Sequence, residues 1–153
     1  LVNVPSIKNL ERIIVLVGIT DMGNIGAIIR SSYALGVDAL FICGSKQLNI
    51  EGAVRSSSGA IFDLPIALHE NVHDLHHELQ QAGFSTVGAT LNGEEKISNN
   101  AKTALFMGSE SLGLPRRLVE KLTEQTSIKM KNNFDSLNVS SAAAILIDRM
   151  NHA

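Results

Sequence analysis

Short apolar stretches alternate with helical patterns almost from end to end, and this alternation limits the possible folds more than any other feature of the chain. Repeated strand-then-helix units build an α/β sheet whose crossover helices cover its faces. Candidate strands lie at residues 13–17, 39–43, 64–68, 85–90 and 104–107, with a short one near 127–130. Candidate helices lie at 23–35, 72–82, 116–121 and 138–151, with a shorter piece near 51–57. Six strands within 153 residues predict a three-layer α/β/α sandwich around a mostly parallel six-stranded sheet, with residues 1–153 forming one domain.

In the first helix, Ile25, Ile28, Ile29, Ser32 and Leu35 share one face, and Gly36 follows as a stop. Asn24 and Arg30 fall off that stripe and are free for polar work. The last helix is apolar without interruption over 142–147, a pattern that predicts cover on more than one side, by a loop or a second subunit.

Hydrophobic residues make up 44% of the chain and charged residues 18%, enough for one sizeable core. No apolar run approaches the ~20 residues that cross a bilayer, and no basic-then-apolar leader is present, so the expectation is a soluble cytoplasmic protein. The sequence begins at Leu1 and not Met, which suggests processing or a fragment of a longer chain. Cys43 is the only cysteine and follows an apolar stretch, as a small buried hydrophobe would. A net charge of −2 excludes a broadly basic surface, so any affinity for nucleic acid must come from local patches, a dimer or another domain.

Three segments carry chemistry. Gly18 to Gly26 follows a strand and opens a helix, but it lacks the glycine that a dinucleotide turn needs at Asp21 and the lysine that a phosphate-binding loop needs at Asn24. Thr20 or Asp21 can cap that helix. The run from Ala104 to Pro115 is a strand entering a loop bracketed by Gly108 and Gly113; Glu110 stands where a nucleophile elbow requires serine. Glycines there let backbone approach a ligand closely. From Ile128 to Ile147 a polar loop enters the last helix, with Ser136 or Asn138 as its cap. His73, His76 and His77 with Glu78 lack the order of a zinc helix and read as a solvated surface, so no metal is expected.

Taken in order, Asn24 to Arg30, Gly108-Ser109-Glu110, and Ser136 to Ser140 with its small-residue helix resemble the three motifs of the SpoU/TrmH branch of the SPOUT methyltransferases. A fourth stretch, Val54 to Ala60, is similar to the arginine-serine-glycine segment of the subgroup that modifies ribosomal RNA. The likeness implies a sheet with a C-terminal deep trefoil knot, a homodimer, and S-adenosylmethionine bound at the dimer interface, leaving as S-adenosylhomocysteine.

It implies S-adenosylmethionine-dependent methyl transfer to a ribose 2'-hydroxyl of RNA, with ribosomal RNA favoured over transfer RNA. The alternatives are a relative acting on transfer RNA or on a base, and a non-catalytic RNA-binding module. Arg30 matches the catalytic arginine, with Asn24, Glu110, Ser136 and Asn138 as polar positions around it. Gly108, Ile128 and Leu137 match cofactor contacts, with Thr90, Leu91, Met107, Met130 and Asn138 as neighbours. Arg30 and Arg55 are the implied RNA contacts, and Arg116, Arg117, Lys129 and Lys131 extend a basic rim that Glu120 and Glu124 dilute. Lys129 replaces a common proline and Asn132 a frequent glycine, so the loop crossing the cofactor is expected to differ in shape. An N-terminal RNA-binding domain is expected outside this chain.

Overall fold

The computed structural model describes residues 2–44, 49–134 and 136–153, so Asp135 of the third segment lies outside it. Six strands form one sheet: β1 (Arg12–Val17), β2 (Ala39–Cys43), β3 (Ile66–His69), β4 (Ser85–Glu94), β5 (Thr103–Gly108) and β6 (Glu124–Thr126). Their order is β3-β2-β1-β5-β4-β6, and every ladder is parallel. The helices are α1 (Met22–Ala34), α2 (Ile50–Ser57), α3 (Val72–Gln81), the one-turn α4 (Arg116–Val119) and α5 (Val139–Asn151).

The central strands are apolar on both faces because both faces are covered. Along β1, Ile14 and Leu16 join Ile25, Ile28 and Ile29 of α1 and Leu146 and Ile147 of α5 in one core. Ile13, Val15 and Val17 point the other way, toward Val72, Leu75 and Leu79 of α3 and Leu118 of α4. This period-two division yields the expected three layers. Val17 pairs with Gly108 and with Cys43, so the carboxyl ends of the central strands lie along one edge.

Five expectations are corrected. The last strand is Glu124–Thr126 and not 127–130: its polar residues pair with β4, while Ile128 and Met130 face a cleft. β3 begins at Ile66, where pairing with β2 starts, because the Leu64 N–H instead turns back to the Ala60 carbonyl at 3.0 Å. The helix expected over 116–121 closes after Val119, with Lys121 N–H turning back to the Leu118 carbonyl. His76 is 2% exposed, not solvated: its Nε2 lies 3.0 Å from Thr86 Oγ1 and its ring meets Phe106 edge-on.

β4 also runs four residues past its expected end at Thr90, and its register against β6 shifts between Ala89 and Glu94. Gly93 permits that crossing, since a Cβ there would strike the Thr126 backbone. Cys43 is buried as expected, and burial pushes its thiol up to about 11. α5 buries Val139, Ala143, Leu146, Ile147 and Met150 within the chain but leaves Ile145 43% exposed.

Candidate active site

The carboxyl ends of β4, β5 and β6 surround a cleft of about 590 Å³. Three walls enclose it: the end of β4 from Ala89 to Asn92, the loop from Gly108 to Leu114, and the crossing from Gln125 to Ile128 that continues to Leu137 and α5. Met107, Ile128, Val139, Ala142 and Leu146 supply apolar lining, and Thr90, Ser109, Glu110, Gln125 and Ser136 supply polar groups. Open parallel sheets place ligands at this edge, and the volume falls within the range of small-molecule sites.

The loop after β5 is folded back on itself. Gly113 N–H donates to the Ser109 carbonyl at 2.8 Å, with Gly113 at φ +65°, a conformation glycine adopts freely. At Gly108 even a methyl group would collide with the Gly113 backbone. The tight return aims Glu110 at the start of α5, where its Oε1 accepts the Val139 N–H at 2.8 Å. Asn138 Oδ1 accepts the Ser140 N–H at 2.9 Å, so two side chains satisfy amides at one helix start. A carboxylate there is further favoured by the positive end of the helix dipole. Glu110 thereby fastens the second motif to the third.

At the start of α1, Asp21 and not Thr20 is the cap, its Oδ1 accepting the Asn24 N–H at 2.9 Å. Gly26 lets α1 press against α2, since a Cβ there would overlap Ser56, whose hydroxyl donates to the Met22 carbonyl at 2.9 Å. The first and fourth segments are thus packed together. Arg30 and Arg55 are exposed on these two helices, and neither pairs with a carboxylate among the described residues.

Thr90, Leu91, Met107, Gly108, Glu110, Ile128, Met130, Ser136 and Leu137 therefore converge on the cleft. Asn24, Arg30, Arg55 and Asn138 lie outside its lining, the last as the α5 cap. Of the flanking basic residues, Arg116 reaches the cleft. Asn132 takes φ +59°, which asparagine tolerates better than most side chains.

Sequence reasoning missed Gln125, which accepts a hydrogen bond from Thr90 Oγ1 at 2.9 Å across the cleft wall. It also missed Arg149, whose Nη1 donates to Thr126 Oγ1 and to the Ser127 carbonyl, both at 2.8 Å. Neither belongs to a motif, and only the long-range packing reveals them. Among the described residues no cluster of His, Cys, Asp and Glu could hold a metal, and no helix is long and apolar enough to cross a membrane.

A cleft with an apolar floor, closed by glycine loops at the carboxyl edge of a parallel sheet, defines an α/β protein shaped for a small organic ligand. The SpoU rRNA Methylase family matches residues 11–148, and the chain belongs to that family. It is 34% identical to an uncharacterized tRNA/rRNA methyltransferase of Archaeoglobus fulgidus, over 88% of this chain and 62% of the relative. A 23S rRNA (guanosine-2'-O-)-methyltransferase of Xylella fastidiosa is 37% identical, over 88% of this chain and 56% of the relative. The crystal structure of an AdoMet-bound rRNA methyltransferase from Sinorhizobium meliloti superposes with a TM-score of 0.87 at 26% identity, covering 97% of this chain and 60% of that one. The chain thus spans about three fifths of the length of these relatives.

Proposed function

We propose that the chain is the catalytic domain of an RNA ribose 2'-O-methyltransferase that binds S-adenosylmethionine in this cleft. The observation that carries the reading is the union of the second and third motifs around one cavity, fastened by Glu110 on α5. The cavity fits the cofactor: Met107, Ile128 and Leu137 offer a slot for adenine, and the glycines at 108 and 113 bring backbone groups close. Thr90, Leu91 and Met130 border it, and Asn138 fixes the helix that closes it. When bound, S-adenosylmethionine supplies an activated methyl on a sulfonium and requires no metal.

The chain's own contribution is positioning. Aligning a ribose hydroxyl with the methyl can supply up to ~7–11 kcal/mol of the acceleration, whereas general-base help adds roughly 10²–10⁴-fold. Arg30 is protonated at neutral pH and a poor base. It grips an RNA phosphate and stabilises charge developing on the ribose oxygen, while water or another group accepts the proton. Glu110 is held by an α5 amide, so its role is to set the loop, with Asn24 and Ser136 completing the polar surround. Arg55, on the helix packed against α1, takes a second phosphate.

Because Arg30 is exposed and lies outside the lining of the cleft, a homodimer that brings the Arg30 of one protomer to the cleft of its partner completes the site. Large apolar side chains exposed at the cleft, Leu91 at 83% and Leu112 at 87%, support such a contact. The trefoil knot belongs to the same proposal and rests on the family of the chain alone. A further RNA-binding domain in the whole protein, acting in the cytoplasm, would choose the target. Ribosomal RNA is favoured by the segment 54–60 and by the Xylella fastidiosa relative.

The test is methyl transfer by the full-length protein to ribosomal and transfer RNA, with the modified atom mapped. Arg30→Ala should cost about a hundredfold or more in rate, on the scale of losing a pre-set charge stabiliser, and leave cofactor affinity near wild type. Arg30→Lys should restore little of it. Equal rates for wild type and Arg30→Ala would overturn the arginine's role, and a methyl found on a base would overturn the ribose assignment.

A further inference from the structure

We infer that Arg149 is a positioning residue for the cleft: from the last turn of α5 it locks the peptide between Ser127 and Ile128 and thereby presets the wall that receives the cofactor. The inference rests on the proposed reading of the cleft as the S-adenosylmethionine site. Arg149 is half-buried, and its Nη1 donates to both Thr126 Oγ1 and the Ser127 carbonyl. The same short stretch is tied on its other side to the end of β4. Thr126 Oγ1 donates to the Glu94 carbonyl at 3.1 Å, Ser127 Oγ to the Gly93 carbonyl at 2.6 Å, and Ser127 N–H to the Glu94 carbonyl at 2.9 Å. Lys129 N–H reaches Glu95 Oε1 at 3.3 Å.

The guanidinium is therefore the link between this crossing and α5, and the crossing is where regular pairing has stopped. β6 ends at Thr126, yet Ser127, Ile128 and Met130 still line the cleft. A trans peptide is planar, so fixing the Ser127 carbonyl toward Arg149 also fixes the direction of the Ile128 N–H, on the opposite edge of the plane. That N–H has no intramolecular acceptor among the described residues. It is a donor held ready in the wall of the cleft, and a charge-assisted hydrogen bond is the device that holds it.

Two measurements on the chain test this. In ligand-free protein, Arg149→Met should speed hydrogen exchange of the amides over 127–129 by about tenfold or more, the scale of losing a hydrogen bond to a charged donor, while amides of β1 stay protected. By calorimetry the same substitution should weaken S-adenosylmethionine binding by about tenfold, with Arg149→Lys intermediate because it keeps one charged donor. Arg149→Gln, which keeps a neutral amide donor and leaves Thr126 with its bond to the Glu94 carbonyl, should act in the same direction by a smaller factor and serves if Arg149→Met fails to fold. As a structural control, Asn151→Ala removes the Asn151 Nδ2 donation to the Leu35 carbonyl at the end of the same helix, and should lower the Tm without changing affinity. Wild-type exchange over 127–129 in Arg149→Met, or affinity that follows Tm equally in all variants, overturns the inference. If wild-type protein does not bind S-adenosylmethionine, the cofactor reading fails, and with it the role of Arg149 in that site, whereas the exchange result still decides whether Arg149 holds the crossing.

Discussion

The two flanks of the sheet are built on different terms. On one side, β1 and β2 are buried along almost their whole length and are held by aliphatic packing against α1. On the other, β4 passes from buried to exposed along its length, β6 has three residues, and side-chain hydrogen bonds replace packing. The first flank supplies stability and rigid helices for Arg30 and Arg55. The second supplies a shaped cavity at the expense of regular pairing, and substitutions should separate the two roles.

The largest effect on stability is expected from Ile14→Ala in β1. Ile14 is fully buried between the α1 and α5 side chains, so the loss should be about 2–5 kcal/mol in denaturant unfolding. Cofactor affinity per folded molecule should stay near wild type; a selective loss of affinity at full stability would break the division between the flanks. Gly108→Ala tests the other side. Its methyl would meet the Gly113 backbone, and overpacking of this kind costs about 1–3 kcal/mol, but cofactor binding should fall below detection in calorimetry because the loop must open. Retained binding would show that this loop has more freedom than its close approach implies.

A smaller effect is expected from Glu110→Gln. The amide still offers an oxygen to the Val139 N–H but removes the charge from the helix start, a change of about 0.3–1 kcal/mol. Thermal unfolding should show a drop of that size that shrinks as salt is added. A Tm that rises instead would mean that the carboxylate is not the α5 cap in solution.

The same contrast explains what was legible in the sequence. Runs such as Ile13 to Val17 and Ala39 to Cys43 announce buried parallel strands through composition alone, and the α1 stripe ending at Gly36 announces its helix. The second flank misled wherever polar bonding replaced pattern. Ile128 and Met130 carry the apolar signal of a strand although they line a cleft, whereas Glu124-Gln125-Thr126 carries none and pairs. Contacts distant in sequence, such as Arg149 with Ser127 or Gln125 with Thr90, leave no periodic trace. Glu110 and Ser136 were found through motif resemblance, and the hydrogen bond that gives Glu110 its task needed the fold.

The smallest expected effect lies where the two flanks meet the α3 layer. His76 joins a hydrogen-bonded chain that runs from the buried Thr86 to the exposed Thr123, in which Thr86 Oγ1 accepts the Thr123 N–H at 3.1 Å and Thr86 N–H donates to Thr123 Oγ1 at 3.0 Å. That chain anchors the turn leading into β6. Burial holds the imidazole below its ordinary pKa of 6.5, and Lys121, His73 and His77 push in the same direction. The folded state therefore favours neutral His76, while the unfolded chain takes up a proton near the ordinary value. Stability from this residue is fully present above about pH 6.5 and declines as the pH falls toward the depressed folded value. Thermal unfolding at about pH 7.5 and pH 5.5 should thus show a larger acid-side loss in wild type than in His76→Gln, which cannot titrate. Identical losses in the two proteins would mean that His76 is hydrated in solution and that the turn into β6 is looser than the first flank's packing.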